Sequence, residues 1–227
     1  MSAARNIIVA AFSLHILTAK TSAAPKTTEE RVAEFGAIVR QRLEPHFRAA
    51  SVPYPPRRVT LIGLKRERRL EVYASAADGG PRFICAYPVL AASGTLGPKL
   101  RQGDRQVPEG VYRLRELNPN SRFHLSLWVD YPNAFDRARA ASDGRKKIGG
   151  EIMIHGNTVS KGCFAMGDRA AEDLFVLAAL TGIENITIIF APIDFRQESL
   201  GDLPGSAPTW TRELYARLKQ ELTRYTR

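Results

Sequence analysis

Between Glu29 and Ala49 apolar side chains return at Val32, Phe35, Ile38, Val39, Leu43 and Phe47, the spacing of one helix face. Thr27-Thr28-Glu29-Glu30 stands in front of it as a capping box with Thr27 at the N-cap. The pattern predicts a helix over about 29–49 whose one apolar stripe packs on the outside of a larger body. Ser51-Val52-Pro53-Tyr54-Pro55-Pro56 follows as a stiff, extended linker.

Beyond the linker the period shortens. Residues 58–64, 69–76 and 82–90 are rich in β-branched and aromatic side chains and are broken by charges or by Asp78-Gly79-Gly80. They predict an antiparallel meander. Further strands are expected at 111–116, 123–129, 151–155 and 185–191. The glycine- and proline-rich stretch 93–110 reads as a loop. Residues 131–150 read as a second long loop with at most a helical turn. Asp168 is placed to cap a helix running to about Ala179. A last helix covers about 210–223, with Leu214, Leu218 and Leu222 on one face. The sum is a mainly β domain with peripheral helices, one N-terminal and one C-terminal. Its parts are a helix and linker (25–56), a main domain (57–195) and a C-terminal loop and helix (196–227).

Residues 1–24 have the form of a secretory signal. Arg5 precedes an apolar run from Ile7 to Leu17, and Thr21-Ser22-Ala23-Ala24 offers small residues for cleavage near Ala23 or Ala24. A disordered or membrane-anchoring N-terminus is the alternative. The signal predicts an exported chain, in the periplasm or cell envelope. No apolar run is long enough to span a bilayer, so no integral membrane span is expected after cleavage. The formal net charge is +10, and the leader accounts for only Arg5 and Lys20 of the excess. Such a chain favours an anionic partner: nucleic acid, phospholipid headgroups or an acidic wall polymer. The basic residues are scattered, and no nucleic-acid module is present, so nucleic acid is not expected as a partner.

Two cysteines remain, Cys85 and Cys163. In an exported protein a disulfide is the default. Cys85 lies in Phe83-Ile84-Cys85-Ala86-Tyr87, a strand-like setting for a buried apolar thiol. Cys163 lies in a glycine-containing loop, a poor place for an inert one.

The segment from Glu151 to Met166 carries the chemistry. An apolar strand ends in His155-Gly156, and the chain returns to Gly162-Cys163 eight positions later. Such a return brings an imidazole and a thiol within reach of each other, as nucleophilic catalysis requires. The thiol is a weak nucleophile until a base takes its proton or a cation lowers its pKa. Gly162 and Cys163 offer backbone N–H groups for an oxyanion. A histidine and a cysteine with no joint role remain an alternative on spacing alone. A zinc site needs three or four ligands, and His46, His124, His155 and the two cysteines lack close ligand spacing, so no metal is expected.

The same segment resembles the active-site signature of the L,D-transpeptidase catalytic-domain family. It is similar to the branch written His-Gly-x-x-Val-Ser-x-Gly-Cys-[Phe/Tyr]-Ala-Met, matched from His155 to Met166. Two upstream blocks resemble that branch as well. One is Leu96–Asp104 with Pro108-Glu109-Gly110-Val111-Tyr112; the other is Tyr131–Ala138. The resemblance covers about Val59 to Pro192. It implies a curved sheet or sandwich with the site at one end of a cleft. It also implies acyl transfer at the diaminopimelate of a peptidoglycan stem, with Cys163 as nucleophile, His155 as general base and acid, and the Gly162 amide on the oxyanion. Gly156, Ser160, Lys99, Arg101, Tyr131 and Asn133 are the further candidates for the substrate side. No cofactor is implied.

Departures from the wider family limit the expectation. Most members carry a histidine two positions before the cysteine, where this chain has Lys161. Most also have Arg or Asn soon after it, where Phe164-Ala165-Met166 stands here. The short-spacing branch includes a hydrolase that frees a lipoprotein from stem peptides. The expectation is therefore an L,D-transpeptidase, with a murein hydrolase and a non-catalytic peptidoglycan-binding module as alternatives. The partner implied is peptidoglycan, with or without a linked lipoprotein.

Overall fold

The computed structural model describes residues 24–76, 78–201, 203 and 207–226. Apart from Ala24, the expected signal peptide lies outside the described residues. The N-terminal helix α1 spans Thr28–Ala49, and its capping box is formed. The Glu30 N–H donates to Thr27 Oγ1 at 3.2 Å, and the Thr27 N–H donates to Glu30 Oε2 at 2.7 Å. Val39, Leu43 and Phe47 are its buried positions.

Nine strands follow among the described residues: β1 Val59–Leu64, β2 Arg69–Ser75, β3 Pro81–Pro88, β4 Ala91–Ala92, β5 Gly110–Ser121, β6 His124–Val129, β7 Met153–His155, β8 Phe164–Ala165 and β9 Ile186–Ala191. They form one mixed sheet in the order β3-β2-β1-β9-β5-β6-β7-β8-β4. β1, β2 and β3 are the antiparallel meander. β9 enters parallel to β1, and β8 parallel to β7. The long β5 joins the two halves. Gly110–Arg113 pair with β9, and from Leu114 onward the strand pairs with β6, with a register shift between Leu114 and Glu116. A bulge of this kind bends a strand and increases its twist, which curves the sheet.

Three further helices complete the fold: α2 Ala134–Ser142, α3 Asp168–Thr181 and α4 Thr211–Leu222. Helices cover both faces of the sheet. Leu61, Val72 and Ile188 belong to one core with Leu43 and Phe47 of α1 and Leu174 and Phe175 of α3. Ile62, Tyr73 and Ile189 belong to another with Leu214, Leu218 and Leu222 of α4. A strand buried on both faces reads as a continuous apolar run, as Val59–Leu64 and Ile186–Ala191 do. Arg42 fastens α1 to α3, with contacts of 2.7 Å to Asp173 and 3.0 Å to Glu172.

Four expectations change. The stretch 131–150 is not all loop, because it contains α2. Its capping box is built from Asn133 and Asp136, so the signal was in the sequence in a less familiar pair. Asp168 does not cap α3. Gly167 holds the N-cap with φ +78°, and the Asp168 carboxylate instead accepts the Asn157 N–H at 2.7 Å. β5 runs well past 116, to Ser121. The two-residue strands β4 and β8 have no periodicity to betray them.

Candidate active site

Cys163 lies one residue before β8. The register pairs Ile154 with Phe164 and His155 with Ala165, so Cys163 comes beside the start of β7. Phe164 anchors the segment. It is fully buried and packs on Phe190 with ring centroids 4.9 Å apart. Gly63 of β1 makes room for it: a Cβ there would lie 2.4 Å from Phe164 Cε2. Gly162 has φ +100°, a backbone state that disfavours any residue with a side chain. Ser160 Oγ accepts the Cys163 N–H at 3.1 Å and donates to the Cys163 carbonyl at 2.6 Å. Both cysteines are free thiols, so the default disulfide is not formed.

His155 ends β7 and is almost fully buried. Its Nδ1 lies 2.6 Å from the Gly156 carbonyl. A carbonyl only accepts, so Nδ1 carries the proton and Nε2 keeps a lone pair for a base. The ring stacks on Phe123 at 4.5 Å. Burial lowers its pKa below the ordinary 6.5, against the opposing pull of the Gly156 bond. The imidazole is therefore neutral near neutral pH.

The thiol is also neutral at rest. Burial raises its pKa, opposed by the Met153 N–H and by the Lys99 charge, while Glu151 adds to the rise. Its Sγ–H points to the Glu151 carbonyl at 3.7 Å, and no hydrogen bond joins it to His155. Cys85 is held higher, at about 11, chiefly by burial. Both amides expected for the oxyanion are engaged. The Gly162 N–H donates to Ser93 Oγ at 2.6 Å, and the Cys163 N–H to Ser160.

The 93–110 loop is held from beneath. The buried Lys65 ammonium donates to the Gly97 and Val107 carbonyls, each at 3.0 Å, and to Glu109 Oε1 at 2.9 Å. Tyr215 of α4 donates to Glu109 Oε2 at 2.7 Å. On the other side, Ser93 Oγ donates to the Arg105 carbonyl at 2.8 Å while it accepts from Gly162. The loop and the cysteine segment are thereby locked together. Glu151 opens onto a cleft of about 880 Å³ that runs between this loop and residues 146–152.

A sequence profile of the YkuD family, the L,D-transpeptidase catalytic domain, matches residues 59–188. The chain belongs to that family. It is 37% identical over 113 residues to a protein of Escherichia coli (strain K12) named "Putative L,D-transpeptidase YafK", across 49% of this chain and 43% of that protein. The chain thus spans less than half the length of that relative. Among solved structures it is similar to the helical cell shape determining protein Pgp2 from Campylobacter jejuni, at 17% identity and TM-score 0.49, over 88% of this chain and 78% of that one. It is also similar to Bdellovibrio bacteriovorus Bd1075, at 20% identity and TM-score 0.44, over 77% of this chain and 58% of that one.

Within this L,D-transpeptidase-family domain the other candidates are spread. Gly156 is buried; a Cβ there would meet Asp168 Oδ1 and the Phe123 carbonyl, each at 2.6 Å. Lys99 lines the cleft but is buried, paired with Asp104 and donating to the Arg101 carbonyl at 3.0 Å. Arg101 is exposed and faces a different cavity with Leu200 and Leu203. Tyr131 is buried, its hydroxyl donating to the Ile148 carbonyl at 3.1 Å. Asn133 caps α2, and its Nδ2 donates to the Val111 carbonyl at 3.0 Å. The structure therefore gathers His155, Ser160, Gly162, Cys163 and Lys99, puts Tyr131 behind the cleft wall on the Lys99 and Ile148 carbonyls, and sets Arg101 and Asn133 apart. Ser93, Phe123 and Glu151 join the site without any spacing signal, because they arrive from other strands and loops. No group of three or more His, Cys, Asp or Glu able to hold a metal is gathered among the described residues.

Proposed function

We propose that this chain is a cysteine acyltransferase of the L,D-transpeptidase type, acting on peptidoglycan stem peptides at diaminopimelate in the cell envelope. The observation that supports it most is the fixed tautomer of a buried neutral imidazole whose strand runs parallel to the segment carrying a half-buried thiol. In the reaction, rotation about χ1 moves the thiol proton from the Glu151 carbonyl to His155 Nε2. The thiolate attacks the carbonyl at the L-centre of diaminopimelate. The C–N bond breaks, His155 returns the proton to the leaving amine, and a thioester remains on Cys163. An amine then takes the acyl group and regenerates the thiol. Substrate oxygen displaces Ser93 from the Gly162 N–H to use it as an oxyanion donor. Gly156 and Ser160 act by positioning: one fixes the imidazole, the other the cysteine backbone.

Water as acceptor gives the hydrolase, a carboxypeptidase or an endopeptidase that frees a peptide or lipoprotein. Incubating purified muropeptides and lipoprotein-linked sacculi with the wild type and with Cys163→Ala decides between them. New cross-linked dimers mark the transferase, and released tri- or tetrapeptide ends mark the hydrolase. Identical behaviour of both proteins on every substrate leaves only a binding module.

A further inference from the structure

His155 ends a three-residue strand, so its ring is held by neighbours from elsewhere in the chain. Phe123 lies nearly flat on the imidazole, with ring centroids 4.5 Å apart and planes 29° apart. It belongs to the tip of the β5–β6 hairpin, in the turn between Ser121 and His124. The same tip closes on Gly156, whose carbonyl accepts from His155 Nδ1. A Cβ on Gly156 would lie 2.6 Å from the Phe123 carbonyl and 3.0 Å from His124 Cβ. One turn thus touches both the ring and the peptide group that sets its tautomer.

A loop tip is ordinarily the least restrained part of a sheet. This one is tied down by α1 and the residue before its cap. The Lys26 N–H donates to Asn120 Oδ1 at 2.9 Å, and Asn120 Nδ2 donates to the Lys26 carbonyl at 2.7 Å. Arg31 Nε donates to the Pro119 carbonyl at 2.9 Å. The Phe35 ring meets the His124 ring edge-on at 5.5 Å. Glu172 of α3 makes the last link, 3.0 Å from Arg42 and 3.1 Å from His124 Nε2. His124 has φ +72°, an uncommon state for a residue other than glycine, and its surroundings hold it there. The hairpin tip lies within residues 59–188, which carry the family match, and α1 lies ahead of them. The clamp is therefore added to the domain from outside that match.

We propose that α1 is a positioning element of the active site, clamping the β5–β6 hairpin tip so that Phe123 holds the His155 imidazole in place for Cys163. Phe123 is a positioning residue: it acts through the imidazole and moves no proton. A ring laid on one face of the imidazole resists its rotation and keeps water off that face. Nδ1–H then stays on the Gly156 carbonyl, and Nε2 stays free to act as a base. Release of the tip lets the ring turn, and water competes for both nitrogens. The proposal rests on the acyl-transfer reading in taking His155 as the base for Cys163.

The test reads the imidazole directly in the isotope-labelled full chain. Two-bond proton–nitrogen correlations distinguish the Nδ1–H from the Nε2–H tautomer, and His155→Gln assigns the signal. The wild type should show the Nδ1–H form alone. Phe123→Ala should show a mixture, and Phe123→Tyr should restore the single form. Arg31→Ala combined with Asn120→Ala cuts the clamp without touching the imidazole, and should also give a mixture. Leu222→Ala, in the core under α4, lowers stability away from the tip and should leave the signal as in the wild type. Alkylation of Cys163 by iodoacetamide is the second readout. It should slow about tenfold in Phe123→Ala and about threefold in the double variant, with Phe123→Tyr near wild type.

A single Nδ1–H tautomer in Phe123→Ala overturns the positioning role, whatever the alkylation rate. A wild-type signal in the double variant overturns the role given to α1. The same mixture in Leu222→Ala reduces the effect to general loss of stability and overturns the proposal as well. The tautomer is read with no substrate present, so it judges the clamp independently of turnover. Alkylation of Cys163 at the wild-type rate in His155→Ala sinks the acyl-transfer reading alone.

Discussion

The Ser160 hydroxyl closes both backbone groups of Cys163, accepting from its N–H at 3.1 Å and donating to its carbonyl at 2.6 Å. A hydroxyl has one proton and two lone pairs, so a single side chain satisfies both groups and fixes the cysteine just before β8. Ser160→Ala leaves both without that partner. It should cost about 1–2 kcal/mol of stability and slow thioester formation by about tenfold, with Ser160→Thr restoring most of both. Denaturant midpoints and the rate of Cys163 acylation are the measurements. Equal acylation in Ser160→Ala and wild type would show that the cysteine is held by other means.

Gly63 and Phe164 form the second lock. A methyl group on Gly63 would overlap Phe164 and lie 2.7 Å from Phe190 Cδ1. Gly63→Ala should lower stability by about 1–3 kcal/mol through overpacking and disturb the residue after Cys163. Phe164→Leu should recover part of that loss in the double variant, since contacting residues are not additive. Additive losses in thermal melts would refute the packing argument.

The imidazole gives a pH signature. Burial holds His155 below 6.5, so between its folded value and about 6.5 the unfolded chain binds a proton that the folded chain does not. Its contribution to stability is present above that window and is lost as pH falls through it. The melting-temperature difference between wild type and His155→Gln should therefore shrink from pH 7.5 to pH 5. A difference that grows on acidification would contradict a buried neutral imidazole.

Alkylation separates the two thiols. Cys163 is raised by burial but opposed by the Met153 amide and Lys99, whereas Cys85 stands at about 11. Iodoacetamide at pH 8 should modify Cys163 first, and His155→Ala should slow that reaction. Peptide mapping by mass spectrometry gives the order.

Asp136 works in the opposite sense. Burial raises it to about 6, against the Asn133 N–H and the Tyr112 hydroxyl. Between its ordinary 3.8 and about 6 the folded protein keeps a proton that the unfolded chain has lost. Its stabilising contribution is present at low pH and is lost as pH rises through about 6. The advantage of wild type over Asp136→Asn should be larger at pH 4 than at pH 7.

Local patterns foretold much of this molecule. The α1 capping box, the meander of β1 to β3 and the return of the chain that sets the Cys163 segment beside β7 all rest on short-range spacing, which a chain carries within a few residues. α2 is legible too, in the cap Asn133-x-x-Asp136. β4 and β8 were not, because a two-residue strand has no period and exists only where a partner edge accepts it.

By itself the sequence determined the chemistry on offer: a thiol and an imidazole eight residues apart, a glycine before the thiol, and a large excess of cations. Only the tertiary structure decided how these groups are held. It placed the Glu151 carbonyl on the thiol, Ser93 on the Gly162 amide and Phe123 on the imidazole. It also buried Lys99 against Asp104 while leaving Lys146, Lys147 and Lys161 unpaired. Those partners come from segments tens of residues away. Burial and long-range hydrogen bonds set the protonation of both reacting groups, and neither exists until the sheet has closed around them.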